Sequence, residues 1–279
     1  MIKIGDYNKF KIARKADFGY YLDVEGKRTS DDILLPNGST VDEGLEIGDE
    51  VEVFVYRDSW DRIIATQKKP FAVVGDLAVL EVKTVNDIGA FVDFGLERDI
   101  LVPHKEQLYK MEEGKSYLVY IYIDKTGRLA ATTDVDRYLD YMEEPELWTE
   151  VTGIVYGYQT NGSLSVAVDK LYKAAVLTKE YFTDIKPGDV IKGKINKIYE
   201  DGMVSLTLRE KKLDEKSKLE ESILDYLKKN NGEMNFNDKS ASEDIRKQFN
   251  CSKNYFKMAL GGLMKKGLIE QNKEGTRLK

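Results

Sequence analysis

One irregular string recurs three times along this chain at a spacing of roughly 70 residues, and a period of that length marks a small domain repeated in tandem. The first copy, Ala16-Asp17-Phe18-Gly19-Tyr20-Tyr21-Leu22-Asp23-Val24, aligns with Asn86-Asp87-Ile88-Gly89-Ala90-Phe91-Val92-Asp93-Phe94. Farther on, Asp32-Ile33-Leu34-Leu35-Pro36-Asn37 matches Asp99-Ile100-Leu101-Val102-Pro103-His104, and Val53 to Thr66 matches Val119 to Thr132. Three matches in one order set a common register for the copies.

Within each copy, apolar runs rich in Val, Ile, Tyr and Phe are bounded by Gly, Asn and Asp clusters, the pattern of half-buried strands joined by tight turns. For the second copy this predicts strands over about 78–85, 89–94, 99–103, 116–124 and 128–132. Gly48-Asp49, Gly114-Lys115 and Gly188-Asp189 open the fourth strand of the three copies. Five short strands in about 65 residues suit a closed barrel, because closure removes the free sheet edges. The expected fold is mostly β with a C-terminal α+β part: barrels over 1–68, 69–138 and 146–210, then a separate domain over 211–279.

The second copy resembles an S1 RNA-binding domain, a five-stranded barrel of the OB type, through Ile88-Gly89-Ala90-Phe91-Val92-Asp93, Leu101-Val102-Pro103-His104, Gly114, and Val119 to Asp124 with Arg128 four positions on. The first copy fits the same pattern and the third fits it loosely. With the C-terminal segment described below, the arrangement is similar to the conserved virulence factor B family of bacterial RNA-binding proteins. The resemblance implies a single-stranded RNA partner and puts Phe18 and Tyr21, then Ile88 and Phe91, on the ligand face. It adds Asn37 and His104 after the third strand, and the hairpin pairs Asp58/Arg62 and Asp124/Arg128. Rings can stack unpaired bases at ~1–3 kcal/mol each, Arg can contact phosphate or stack, and Asp can orient the Arg or accept from an exocyclic amine. Taken singly, each residue has a plainer reading: aromatics pack inside any barrel, and an exposed hairpin ion pair contributes ~0–1 kcal/mol. Their joint recurrence favours a binding surface. In the third copy Asn161-Gly162-Ser163-Leu164, Thr178, Tyr199 and Met203 replace the pattern, and Lys192, Lys194 and Lys197, alternating along one strand, read equally as a residual phosphate strip or as a solvated strand face.

After Leu208 the apolar period becomes helical: Leu219, Ile223, Leu224 and Leu227, with Asn230-Asn231-Gly232 as a stop. Ser240 or Ser242 can cap a second helix, Ser252 a third, and Gly267 is placed to end it. Two short strands around the turn 272–275 complete a winged helix. The forward part of its third helix carries Lys253, Asn254 and Lys257, and Lys273 and Arg277 fall on or near the wing. These residues offer contact with nucleic acid, DNA included, and such domains also dock proteins.

Composition narrows the chemistry. A single cysteine, Cys251, excludes a Cys-cluster zinc site and a disulfide framework, and a single histidine, His104, argues against His-based acid–base or metal chemistry. Residues 1–208 carry 26 Lys and Arg against 37 Asp and Glu, whereas residues 209–279 carry 17 against 12. An acidic barrel array (net −11) must bind by stacking and a few local cations rather than by a broad basic field. No stretch has membrane-spanning length, and the start, Met1-Ile2-Lys3-Ile4, does not read as a signal peptide, so a cytoplasmic location is expected. The reading is a non-catalytic single-stranded RNA-binding protein acting in post-transcriptional control, with no metal or cofactor. The alternatives are a DNA-binding transcription regulator led by the winged helix and a ribonuclease or ribonuclease accessory factor.

Overall fold

The computed structural model describes residues 2–24, 32–181, 183–208, 212–272 and 274–279, with the side chains of 212–216 set aside. The first barrel comprises β1 (Asp6–Ala16), β2 (Gly19–Asp23), β3 (Ile33–Pro36), β4 (Glu50–Arg57) and β5 (Ile63–Thr66). The second comprises β6 (Leu77–Asn86), β7 (Gly89–Val92), β8 (Ile100–Pro103), β9 (Ser116–Ile123) and β10 (Leu129–Thr132). The third comprises β11 (Glu150–Tyr158), β12 (Leu164–Val168), β13 (Tyr172–Val176), β14 (Val190–Ile198) and β15 (Val204–Thr207). All three close in one order, 1-2-3-5-4 within the copy, with strands three and five parallel and every other pair antiparallel.

Two recurring details explain the repeated glycines. The first strand of each barrel has a bulge just after Ile12, Val82 or Val155, which bends the strand enough to pair with two neighbours. The Gly-polar dipeptide clasps that bulge: Gly48, Gly114 and Gly188 each donate to the carbonyl of the bulge residue at 2.8 Å, and the bulge residue donates back to Asp49, Lys115 or Asp189 at 2.9 Å. The glycine that opens strand two lies hard against strand three. A Cβ at Gly19 would sit 2.3 Å from the Leu35 carbonyl oxygen, and one at Gly89 2.2 Å from that of Val102.

The barrels pack on one another. Phe54 and Tyr56 of β4 belong to the same buried cluster as Phe94, Ile100 and Val102 of the second barrel, with the Phe54 and Phe94 rings 5.9 Å apart. Between barrels two and three, Leu118, Val135, Leu139, Ile154 and Tyr156 form a second junction. There the Tyr156 hydroxyl donates to Asp136 at 2.6 Å, and Lys173 pairs with the other carboxylate oxygen at 2.9 Å.

The C-terminal domain is α1 (Lys212–Lys229), β16 (Glu233–Met234), α2 (Ser242–Phe249), α3 (Lys253–Lys265), β17 (Ile269–Gln271) and β18 (Thr276–Leu278). Its core joins Leu219, Ile223 and Leu227 of α1 to Ile245, Phe256, Leu260 and Leu263. Ser252 caps α3 by accepting from the Tyr255 N–H at 3.3 Å. At the other end Gly267 (φ +72°) donates to Met264 and Leu268 donates to Leu263, a Schellman closure. The capping expectation for α2 is corrected: Ala241 holds the cap position without a side-chain bond, because the Ser240 hydroxyl accepts from the Asn237 N–H at 2.9 Å. A strand the sequence did not announce, β16, pairs with β18 and makes the wing sheet three-stranded in the order β16-β18-β17.

Candidate nucleic-acid interface

On the first barrel the turn before β2 carries Phe18, 57% exposed, edge-on to Tyr21 at 6.1 Å. The bulge in β1 brings Arg14, instead of Ala13, opposite Tyr21, and its guanidinium lies 3.4 Å over the Tyr21 ring. Arg14 was not among the sequence candidates; only the bulged register reveals it. On the second barrel Ile88 is 58% exposed and Phe91 is half-buried. In the third, pairing aligns Gly162 with Phe18 and Ile88, and Ser165 with Tyr21 and Phe91, so that barrel has no ring at either place. Lys192 and Lys194 are exposed on β14, and the bulge after Ile195 returns Lys197 to an exposed position, 4.3 Å over the Tyr199 ring.

The residue after strand three braces the preceding turn in every copy. Asn37 Nδ2 donates to the Asp17 carbonyl at 2.9 Å, His104 Nε2 donates to the Asn86 carbonyl at 3.0 Å, and Thr178 Oγ1 donates to the Asn161 carbonyl at 3.0 Å. These side chains hold the loop that carries Phe18 or Ile88.

The fourth-strand hairpins differ between copies. Asp58 Oδ1 accepts from the N–H groups of Trp60 and Arg62, while Oδ2 takes the Arg62 guanidinium at 2.9 and 2.7 Å. Burial works to raise the Asp58 carboxyl, but the bonds from the Arg62 side chain and the Arg62 and Trp60 backbone outweigh it and hold it below the usual range. In the second copy, Asp124 and Arg128 do not pair through their side chains. Asp124 Oδ1 is filled by the N–H of Thr126, the Thr126 hydroxyl and the N–H of Arg128, at 2.7, 2.6 and 3.0 Å. Arg128 turns instead to the first barrel and meets Asp61 at 3.2 Å.

Two grooves flank the Asp58–Arg62 hairpin and share Asp58 as a wall. One, about 490 Å³, runs over Tyr21, Leu34, Ile64 and Arg62 of the first barrel. The other, about 330 Å³, lies between the barrels, with Ile88, Phe91, Phe94 and Leu101 on one side, Tyr56 and Arg57 on the other, and Arg98, Asp99 and Arg128 at its edges. Burial and the neighbouring Asp93 push the Asp99 carboxyl upward, against the weaker pull of Lys83. The arrangement brings together Tyr21, Asp58 and Arg62 in one groove and Ile88, Phe91, Asp124 and Arg128 in the next. Arg57, Arg98 and the exposed hairpin-tip residue Trp60 were not singled out from the sequence, because nothing in the repeat distinguishes them. A third groove of about 410 Å³ separates barrel three from α2, but its two tyrosine hydroxyls are committed to the Ile185 and Gly162 carbonyls.

In the winged helix, Asn254 and Lys257 are exposed on α3 beside Met258. Lys253 donates to the Lys239 carbonyl at 3.2 Å, and Arg277 is paired with Glu270 across the wing. Lys273 lies outside the described residues. Among the described residues no group of His, Cys, Asp and Glu is placed to hold a metal, and no helix is long and apolar enough to cross a membrane.

Tandem S1 barrels followed by a winged helix define the class. Residues 4–68 and 74–134 match the S1 domain family, and residues 221–278 match the CvfB-like winged helix domain. The third barrel is assigned by its strand order. The chain belongs to the conserved virulence factor B family. It is 35% identical to the uncharacterized protein YitL of Bacillus subtilis (98% of this chain, 92% of the relative) and 30% identical to conserved virulence factor B of Staphylococcus epidermidis (89% and 90%). It is also similar to a crystal structure described as a multidomain protein with nucleic acid binding domains from Streptococcus pneumoniae. That match has a TM-score of 0.53 and 25% identity, over 99% of this chain and 98% of the other.

Proposed function

We propose that the protein is a non-catalytic, cytoplasmic single-stranded RNA-binding protein that acts in post-transcriptional control, with barrels one and two as its binding surface. The observation that carries this reading is the pair of adjoining grooves around the Asp58–Arg62 hairpin, each lined by a partly exposed ring and an arginine. A base stacked on Tyr21 shares its groove with Arg62, and one stacked on Phe91 shares its groove with Arg128, the combination of ring and cation that single-strand binders use. The similarity to proteins named for a virulence factor, and to one described as having nucleic acid binding domains, supports a regulatory role through nucleic acid. Phe18, Tyr21, Ile88, Phe91, Arg62 and Arg128 act as direct contacts; Asn37, His104, Asp58 and Asp124 hold the loops that present them. The third barrel, without rings at the matching places, packs and spaces, and Asn254 and Lys257 of the winged helix make auxiliary contacts. The test is fluorescence polarisation of labelled oligouridylate, oligoadenylate, single-stranded DNA and duplexes, with the products run on a gel. Tightest binding to intact single-stranded RNA is expected. Cleavage of the RNA, or equal affinity for duplex DNA, would overturn the reading.

A further inference from the structure

The pairing of Arg128 with Asp61 departs from the repeat, and it crosses from one barrel to the next. Resting on the reading that the inter-barrel groove takes a nucleic-acid strand, we propose that Asp61 is a positioning residue: it aims Arg128 at that groove, where Arg128, Arg57 and Arg98 together receive a phosphodiester group, so that barrels one and two bind as one composite site.

Three observations carry this. Asp61 has φ +66° at the hairpin place held by Gly127 (φ +81°) and Gly202 (φ +83°) in the other copies. Glycine satisfies that turn without strain, so a carboxylate there contributes nothing to the turn's backbone. Its contacts are instead with arginines: Oδ1 accepts from Arg128 Nε at 3.2 Å, and its carbonyl accepts from Arg57 at 2.6 Å. Second, Asp124 does not hold the Arg128 side chain: its Oδ1 accepts from the Thr126 N–H, the Thr126 hydroxyl and the Arg128 N–H, and the guanidinium pairs with Asp61 instead. The pairing with Asp61 uses Nε alone, and among the described residues the two terminal nitrogens of Arg128 have no hydrogen-bond partner, which leaves the fork open for a phosphate. Third, the Nε of Arg57 is buried with no partner on the wall of the same groove, next to Gly127, where a Cβ would come within 3.1 Å of it. An unpaired buried donor of this kind is costly unless a ligand or water completes it, and it lies beside Gly127, the residue that precedes Arg128.

The sign of one substitution decides the matter. Electrostatics alone says that removing a negative charge from a phosphate-binding surface tightens binding. A positioning role says the opposite. The experiment measures oligouridylate affinity by polarisation over a salt series for the full chain, Asp61→Gly, Asp61→Asn, Arg128→Ala and the Asp61→Gly/Arg128→Ala pair, with thermal melts as the control for folding. Both Asp61 variants accept the left-handed turn, and each is expected to weaken binding roughly threefold to tenfold, as the net loss of one ordinary hydrogen bond does. Each is also expected to flatten the slope of log K against log salt by about 0.7, the signature of one lost phosphate contact on a single strand. The double variant should bind no more weakly than Arg128→Ala. Unchanged or tighter binding by both Asp61 variants, or losses that multiply in the double variant, would overturn the proposal while leaving RNA binding intact. Failure of the wild-type chain to bind the oligonucleotide would instead remove the parent reading.

Discussion

Phe18 and Phe94 are the same residue type in opposite settings, and truncating each separates a binding platform from a core ring. Phe94 is 1% exposed and packs on Phe54 across the junction of barrels one and two. Phe94→Ala is therefore expected to cost ~3–5 kcal/mol of stability, the usual range for emptying a buried aromatic site. Phe18 is 57% exposed, so rather less than half its surface is withdrawn from water, mostly edge-on to Tyr21. Scaling the ~1.5–3 kcal/mol of a fully buried side chain by that fraction gives ~0.6–1.3 kcal/mol for Phe18→Ala. A base stacked on the ring adds ~1–3 kcal/mol to binding, so the same change should weaken single-stranded RNA affinity by about five- to 150-fold. Urea unfolding followed by circular dichroism gives the first quantity and fluorescence polarisation the second. The reasoning is refuted if Phe18→Ala lowers stability by several kcal/mol while RNA affinity stays put, because the ring is then part of the core.

Gly89→Ala forces a Cβ to within 2.2 Å of the Val102 carbonyl oxygen and should cost at least ~2 kcal/mol in urea unfolding; a neutral result would mean that strand two can move away. Because the Asp58 carboxyl is held below its usual range, its contribution to stability is complete above the unfolded value and is lost as pH falls through the lower folded value. Asp58→Asn should accordingly lower the melting temperature at neutral pH, by a difference that shrinks as pH falls below the usual carboxylate range, whereas a pH-independent difference would assign the effect to something other than ionisation. Burial pushes the Cys251 thiol up to about 11, so a thiol reagent at pH about 8 should label it only after denaturation. Rapid labelling of the native protein would show that the winged-helix core opens readily.

The barrels were legible in the sequence because their construction depends on residues with few substitutes. Gly19 and Gly89 abut a carbonyl of strand three, and Gly48, Gly114 and Gly188 turn the chain back onto the bulge, so the period of the glycines is the period of the fold. The cap at Ser252 and the closure at Gly267 were legible for the same reason, each being a local hydrogen-bond device written in one or two residues. What escaped was set by competition or by distance. Thr126 takes Oδ1 of Asp124 and Arg128 turns to Asp61, an arrangement that the matching Asp-to-Arg spacing of the first copy conceals. Ser240 could not cap α2 because its hydroxyl serves Asn237. Arg14 meets Tyr21 only through a one-residue bulge, and Arg57 lines the inter-barrel groove only because the two barrels share a core. Contacts between copies are not periodic, so a repeat cannot announce them.

The most direct test of the barrels as the binding surface is the salt dependence of single-stranded RNA affinity for the full chain, beside the same chain lacking residues 211–279. With a barrel array of net charge −11, few phosphates are neutralised, and a slope of log K against log salt of about −1 to −3 is expected, at ~0.7 per phosphate contact, with little change when the winged helix is removed. A slope near about −6, together with a preference for duplex DNA and the loss of both on removing residues 211–279, would place binding in the basic C-terminal domain and contradict the assignment to the barrels.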